Sequence, residues 1–216
     1  MPEKFDTEMK TLNRMVMEMG ALAMNMLLDS VRSLKDRDVE LADEVLERKD
    51  KLYSYDQGIE EKALKILTLY QPMARDLREL ACVLKMITYM TRIGRYGYDI
   101  AKVTKGIAPE PHVKKLIDIP NMASLTASMI DDVLKANETG DLSLIENLAE
   151  RDDFLDKERY SIFRECLTYM MEDPRTITRC MHYVMVARYL ERCGDHACKM
   201  AEKVHYKVTG KHVEIS

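Results

Sequence analysis

Two pairs of carboxylates in the second half of the chain could together form a functional site. Glu191 and Asp195 are four residues apart, as are Asp152 and Asp156. Residues at this spacing lie on one face of an α-helix, so each pair would present two carboxylates side by side. Four carboxylates that face one another repel unless a cation or a proton intervenes. An all-oxygen cluster suits a hard ion such as Mg, Mn, Ca or iron. The spacing therefore indicates a candidate metal site.

The same acids also have an ordinary structural interpretation. They could form a solvated face that weak surface ion pairs tie to nearby arginines, namely Arg151, Arg159, Arg188 and Arg192. His196 follows Asp195 directly but points about 100° away around a helix, so it is not a first-choice ligand. Spacing alone leaves the metal site and the solvated face both open.

The segment around Glu191 repeats an earlier part of the chain. One hundred residues upstream, three of its residues recur: Arg192, Gly194 and Ala201 match Arg92, Gly94 and Ala101. Both segments carry mostly core-type residues at alternating steps of three and four, which is typical of a helix in a bundle. Further towards the N-terminus, the two copies align at an offset of 103 residues. A duplicated unit of three long helices predicts two three-helix bundles.

Turn residues set the expected helix boundaries. In the first unit, the apolar spacing predicts helices over about residues 6–35, 39–69 and 72–107. Asp38 is the expected N-cap of the second helix, and Pro72 is expected in the first turn of the third. The clear linker is 106–111, and residues 118–120 mark the next helix start. We therefore predict an all-α fold with one three-helix bundle over residues 1–107 and another over 108–216.

The first copy lacks both acidic pairs. Where the second copy has its four acids, the first carries Lys49, Tyr53, Thr91 and Arg95. Because both pairs are missing together, the acids behave as parts of one site, and we predict no metal in the first unit. We hypothesise that its two cations supply fixed positive charge beside Glu47, Asp50 and Asp99.

Composition excludes several classes of protein. Seventeen methionines, few glycines and prolines, no tryptophan and 32% charged residues favour an all-helical protein. A formal net charge of −4 argues against nucleic-acid binding through phosphate contacts. Five cysteines without framework spacing predict a reduced, cytoplasmic protein. We expect no signal peptide, since the N-terminus lacks its pattern, and no membrane insertion, since no apolar stretch approaches about 20 residues.

Two motifs give the chain a specific resemblance to a known family. They are Glu-Arg-Cys-Gly-Asp-His-Ala at 191–197 and Gln-Pro-Met-Ala-Arg-Asp-Leu-Arg at 71–78. With the duplicated unit, they resemble the PhoU family of phosphate-uptake regulators over nearly the whole chain. The resemblance implies acidic motifs that hold metal ions, at Asp152, Asp156, Glu191 and Asp195, with iron, Mg, Mn or Zn as the expected ion.

The resemblance also implies a function. Members of this family are cytoplasmic and often homodimeric. They damp phosphate import by acting on the ATPase of a phosphate ABC transporter and, in many bacteria, on a sensor kinase. Regulation of phosphate uptake through protein contacts is therefore the expected function of this chain.

Other functions remain open from the residues themselves. A helical scaffold would bind partner helices through its long faces, and its acids would be incidental. A ferritin-like metalloenzyme needs Glu-x-x-His on two helices and two more glutamates, whereas only Glu202 and His205 match. Since no nucleophile with a base, Gly-rich phosphate loop or zinc spacing appears, we predict that the chain is not an enzyme. Met17 and Met24 fall off the main stripe of the first helix and would mark a contact surface if exposed.

Overall fold

Six long α-helices dominate the computed structural model, which describes residues 2–215. They are α1 (Pro2–Asp36), α2 (Val39–Tyr70), α3 (Ala74–Ile107), α4 (Asp118–Thr139), α5 (Leu148–Glu172) and α6 (Ile177–Thr209). Short 3-10 turns at Leu142–Ile145 and Pro174–Thr176 precede α5 and α6. The described part of the chain contains no strand. None of the described helices is both long enough and apolar enough to span a membrane.

The helices pack as two groups of three. Helices α1, α2 and α3 contact one another, and so do α4, α5 and α6. Helix α1 also packs on α4, and α3 packs on α6, so four helices join the two groups. One cluster of buried apolar side chains runs through both. The predicted all-α fold of two tandem three-helix bundles is confirmed.

Aspartate and glycine residues cap the helices at the turn before α2 and the turn after α4. The Asp38 carboxylate accepts a hydrogen bond of 3.0 Å from the backbone N–H of Leu41, which begins α2. Gly140 ends α4 with a φ of 77°, a left-handed conformation that glycine adopts without steric cost. Asp141 then accepts from the N–H of Ser143 at 3.0 Å. The N-cap expected at Asp38 is therefore present, and the second unit has a similar capped turn after α4.

The start of α3 differs from the prediction. Gln71 ends α2 in a left-handed conformation with a φ of 46°, and the chain reverses before α3 begins at Ala74. Pro72 consequently lies outside the helix instead of in its first turn.

Met17 and Met24 are partly buried against the core, so they do not form the contact surface that their exposure would have indicated.

A glycine lets two helices of the first bundle approach closely. A Cβ atom on Gly97 of α3 would lie 2.8 Å from the main chain of Met26 in α1. Real Cβ atoms do not approach backbone atoms at that distance, so α3 and α1 are in backbone contact at this point. Packing that tight fixes the register of α3 against α1.

Candidate metal centre between the fifth and sixth helices

The four predicted acids lie on two neighbouring helices of the second bundle. Helix α5 carries Asp152 and Asp156, and α6 carries Glu191 and Asp195. A Cβ on Gly194 would lie 2.8 Å from Asp152 Oδ1, so the missing side chain leaves room for this carboxylate against α6. Gly194 stands between the two acids of α6. The helix contact therefore brings both predicted pairs together.

Burial and mutual repulsion act on the two least solvated acids. Burial raises the pKa of Asp152 to about 6, and the negative charges of the other three acids add to the rise. Burial also raises the pKa of Glu191, with repulsion by Asp195 as the next cause. Asp152 Oδ1 and Glu191 Oε2 are buried and accept no hydrogen bond. Two buried acceptors without donors, beside two further carboxylates, fit the oxygen donor set of a hard cation.

Two arginines occupy part of the same space. Arg192 donates from Nη1 to Asp195 Oδ2 at 2.8 Å, and its Nε lies 3.7 Å from Glu191 Oε2. Arg159 Nε lies 3.7 Å from Glu191 Oε1. Within residues 2–215, no group of three or more Asp, Glu, His or Cys side chains is already arranged around an ion position. Arg192 and a bound ion would therefore compete for the carboxylate of Asp195.

His196 contributes to the contact between the bundles. Its ring centroid lies 5.6 Å from that of Tyr89 and 6.0 Å from that of Tyr96, both on α3. Tyr96 also stacks on Tyr189 at 5.2 Å. Burial lowers the pKa of His196 to about 4, with the charge of Arg92 as the next cause. The imidazole is therefore neutral at pH 7, and its ring packs against tyrosines of the first bundle.

The equivalent positions of the first bundle carry cations near acids. Lys49 shares a surface depression with Glu47 and Asp50, but its Nζ lies 5.2 Å from the ring centroid of Tyr98. Arg95 lines a separate depression. Neither cation forms an ion pair with a carboxylate of the described residues. They lie near acids, as hypothesised, but Lys49 makes a cation–π contact instead of bridging carboxylates as a bound ion would.

An exposed apolar surface on the second bundle was not predicted from the sequence. We call it the apolar face; its large side chains on α5 and α6 are Phe163, Leu167, Met171, Ile177, Met181 and Met185. On each helix they recur every four residues, so they form stripes that end at the turn between α5 and α6. Met171 is 85% exposed. The equivalent residues of the first bundle are Glu60, Leu64, Thr68, Leu77, Ala81 and Lys85. That contrast between the two copies was the signal in the sequence that could have predicted the apolar face.

Comparison with known proteins identifies relatives along nearly the whole chain. The PhoU domain family matches twice, at residues 16–104 and 119–204. A phosphate-specific transport system accessory protein PhoU homolog from Rhizobium meliloti is 38% identical over 207 residues, which cover 95% of this chain and 87% of that protein. The protein of the same description from Caulobacter vibrioides is 35% identical over 212 residues, which cover 98% and 92%.

Solved structures share the fold. The crystal structure of PhoU from Pseudomonas aeruginosa has a TM-score of 0.91 at 32% identity and covers 96% of this chain and 100% of that one. The phosphate transport system regulatory protein PhoU from Streptococcus pneumoniae has a TM-score of 0.88 over 97% and 99%, at 23% identity, and supports the fold alone. The names of the Rhizobium and Caulobacter relatives describe accessory proteins of a transport system, in agreement with the prediction that the chain is not an enzyme.

Proposed function

This chain belongs to the PhoU family, and on that premise we propose that it is a cytoplasmic regulator that restrains a phosphate ABC transporter through protein contacts. Its relatives are named as accessory proteins of a phosphate-specific transport system. That description supports a part in phosphate transport. Restraint of the transporter by this chain is our proposal. Homodimerisation, contact with a sensor kinase and cytoplasmic location stay predictions.

The apolar face is the observation that carries this proposal. Contiguous exposed apolar side chains mark sites of protein contact, since their exposure to water is unfavourable. At the same positions the first bundle keeps two exposed leucines, Leu64 and Leu77, whereas the other four residues are polar or small. The repeat therefore does not need large apolar side chains at all six positions. We assign the transporter ATPase as the protein that covers it, because the relatives are named for a transport system.

Phosphate uptake in cells of the source organism tests the proposal. Cells that lack the protein should take up labelled phosphate faster than wild-type cells when phosphate is abundant. Wild-type protein should restore slow uptake, whereas Leu167→Glu with Met181→Glu should not, because two charges on the face oppose burial. The matched control places the same charges at the equivalent positions of the first bundle, as Leu64→Glu with Ala81→Glu, and should restore slow uptake.

Two outcomes would contradict the regulator proposal or its surface. Unchanged uptake in cells without the protein would remove the regulatory role. Full restoration by the variant of the apolar face, at equal protein level on an immunoblot, would exclude that face as the contact with the ATPase.

We also propose one metal site in the second bundle, held by Asp152, Asp156, Glu191 and Asp195. The two buried oxygens without donors support it, because a cation would satisfy them and relieve the repulsion among the acids. Iron, Mg, Mn and Zn are the candidate ions. A bound ion would supply positive charge that links α5 to α6, and no catalytic step is assigned to it.

Metal content and thermal stability test this site. Chelator-treated protein titrated with each ion should show a rise in melting temperature and about one ion per chain by mass spectrometry. Asp152→Asn with Glu191→Gln should lose both effects. The control in the first bundle, Glu47→Gln with Asp50→Asn, should keep them. Equal metal content in the two double variants would exclude the proposed site.

A further inference from the structure

A cavity of about 750 Å³ lies where the two bundles meet. Residues from α1 and α3 of the first bundle and from α4 and α6 of the second line it. It is at the end of the interface away from the linker, beside the N-terminal half of α1. No part of the candidate metal centre contributes to it, so it is a separate feature of the molecule.

The cavity has an excess of positive charge. Its charged lining residues are Lys10, Arg14, Arg75, Lys207, Glu79 and Glu138. Lys207 and Glu79 pair with each other at 3.3 Å. Arg14 has one long contact, 3.8 Å, with the exposed Glu18. Lys10 and Arg75 form no ion pair with a carboxylate in the described part of the chain. Cations that lack a protein partner and converge on one cavity favour an anionic ligand.

A hydrogen-bonded network holds the walls of the cavity together. Glu79 Oε1 accepts from Asn13 Nδ2 at 2.8 Å, and Lys207 Nζ donates to the backbone carbonyl of Asn137 at 2.8 Å. The second contact places a positive charge on the C-terminal end of α4, whose carbonyl groups would otherwise repel an anion. The Nδ2 of Asn13 is engaged in this network, and its buried Oδ1 accepts no hydrogen bond.

At the other end of the same interface, three of the equivalent residues are apolar. Through the repeat offsets, Asn13, Asn137 and Lys207 correspond to Leu116, Leu34 and Ile107. All three of these apolar residues are buried in the core. The charged lining residues Arg75 and Glu79 correspond to Arg175 and Arg179, which pair there with Asp173 and Glu110. Lys10 and Arg75 have no such carboxylate partner among the described residues, and an anionic ligand would supply one.

We propose that this cavity binds inorganic phosphate. Lysine and arginine make charge-assisted hydrogen bonds to phosphate oxygens. The lining residues include no aromatic ring that could stack on a nucleotide base. The choice of phosphate among oxyanions rests on the proposed function, whereas the site rests on the cavity itself. A ligand here would touch both bundles and couple their packing to the phosphate concentration.

Equilibrium dialysis of the purified full chain against labelled orthophosphate tests the site. Lys10→Gln with Arg75→Gln should weaken phosphate binding by about tenfold or more, because two charge-assisted contacts are lost. Both side chains are exposed, so the variant should fold. The matched control, Lys51→Gln with Lys85→Gln, removes the same charge from exposed positions outside the cavity and should bind within about twofold of wild type. Phosphate should also raise the melting temperature of wild type but not of the cavity variant.

The outcomes separate this inference from the proposed function. No saturable phosphate binding by wild type, or equal binding by both double variants, would overturn the site. Equal competition by sulfate, or tighter binding of ATP, would overturn phosphate as the ligand. A wild-type protein that binds no phosphate but still restores slow uptake would overturn the inference and leave the regulator intact.

Discussion

At the scale of single residues, the ionised carboxylate of Asp152 opposes folding of the metal-free protein. Burial raises its pKa from 3.8 to about 6. The folded state therefore holds the proton more tightly than the unfolded state, so the stabilisation is complete below pH 3.8 and is lost as pH rises through 6. With chelator at pH 7.5, Asp152→Asn should raise the free energy of unfolding by about 1 kcal/mol, a value reduced for partial solvent exposure.

Urea unfolding at pH 4 and pH 7.5 measures this effect. The gain should be much smaller at pH 4, where the folded wild type is already protonated at this residue. Asp153→Asn, at an exposed neighbouring position, is the control and should change little at either pH. An Asp152→Asn protein no more stable than the control at pH 7.5 would show that the carboxylate is well solvated.

His196 changes stability with the opposite sign over an overlapping pH range. Burial lowers its pKa from 6.5 to about 4. The unfolded chain then takes up the proton first, so stability is present above pH 6.5 and is lost as pH falls through 4. His196→Phe keeps a ring beside Tyr89 and removes the titration. The loss of unfolding free energy between pH 7 and 4 should be smaller than in wild type by about 2 kcal/mol.

The same unfolding series across pH 4 to 7 tests this prediction. His212→Phe, at an exposed position, should keep the pH dependence of wild type. A pH dependence in His196→Phe that matches wild type would mean that solvent reaches the imidazole in the folded protein. Because Asp152 and His196 act in opposite directions, single variants are needed to separate them.

At the scale of helices, Gly97 allows the backbone contact between α3 and α1. A Cβ at this position would lie 2.8 Å from the main chain of Met26, which cannot rotate away. Gly97→Ala should therefore cost about 3 kcal/mol of unfolding free energy. Gly106→Ala, in the last turn of the same helix, meets nothing within 4 Å and should be neutral or stabilising by about 0.5 kcal/mol. Equal stability of both variants in urea would exclude the close contact.

The sequence predicted the helices but not this contact. Apolar periodicity gave six helices because each long helix must bury one stripe. Gly97 was not distinguished, since α6 carries buried Ala197 at the equivalent position and the repeat alone does not show which copy packs closer. The start of α3 was misplaced because Pro72 fits a first helical turn, and the left-handed Gln71 that excludes it depends on how α2 meets α3. Local patterns do not contain that information.

The candidate site was only partly predictable for a similar reason. Spacing and the contrast between copies identified the four acids. The position of Asp152 against Gly194, and the competition from Arg192, depend on how α5 packs on α6. The cavity proposed to bind phosphate was not foreseen, because its residues come from four helices that are distant in sequence and only Arg75 belongs to a motif.

At the scale of the whole molecule, the two bundles share a buried interface that should make them depend on each other. The aromatic cluster of Tyr89, Tyr96, Tyr189 and His196 crosses from α3 to α6. Cys82 Sγ donates across the same contact to the backbone carbonyl of Lys203 at 3.2 Å. A bundle separated from its neighbour would expose these groups to water. Apolar and aromatic surface of this kind favours reassociation.

Separate expression of residues 1–107 and 108–216 tests this dependence. Each half alone should unfold at lower urea than the intact chain, and the mixed halves should form a one-to-one complex by size-exclusion chromatography with light scattering. Tyr96→Ala in the first half should weaken the complex by about tenfold or more, since it removes a ring that stacks on the second half. Tyr160→Ala in the second half, an exposed tyrosine outside this contact, should leave the complex intact. Two halves that stay monomeric and as stable as the full chain would mean that the bundles fold independently, and binding of phosphate between them would then lose its means of coupling one to the other.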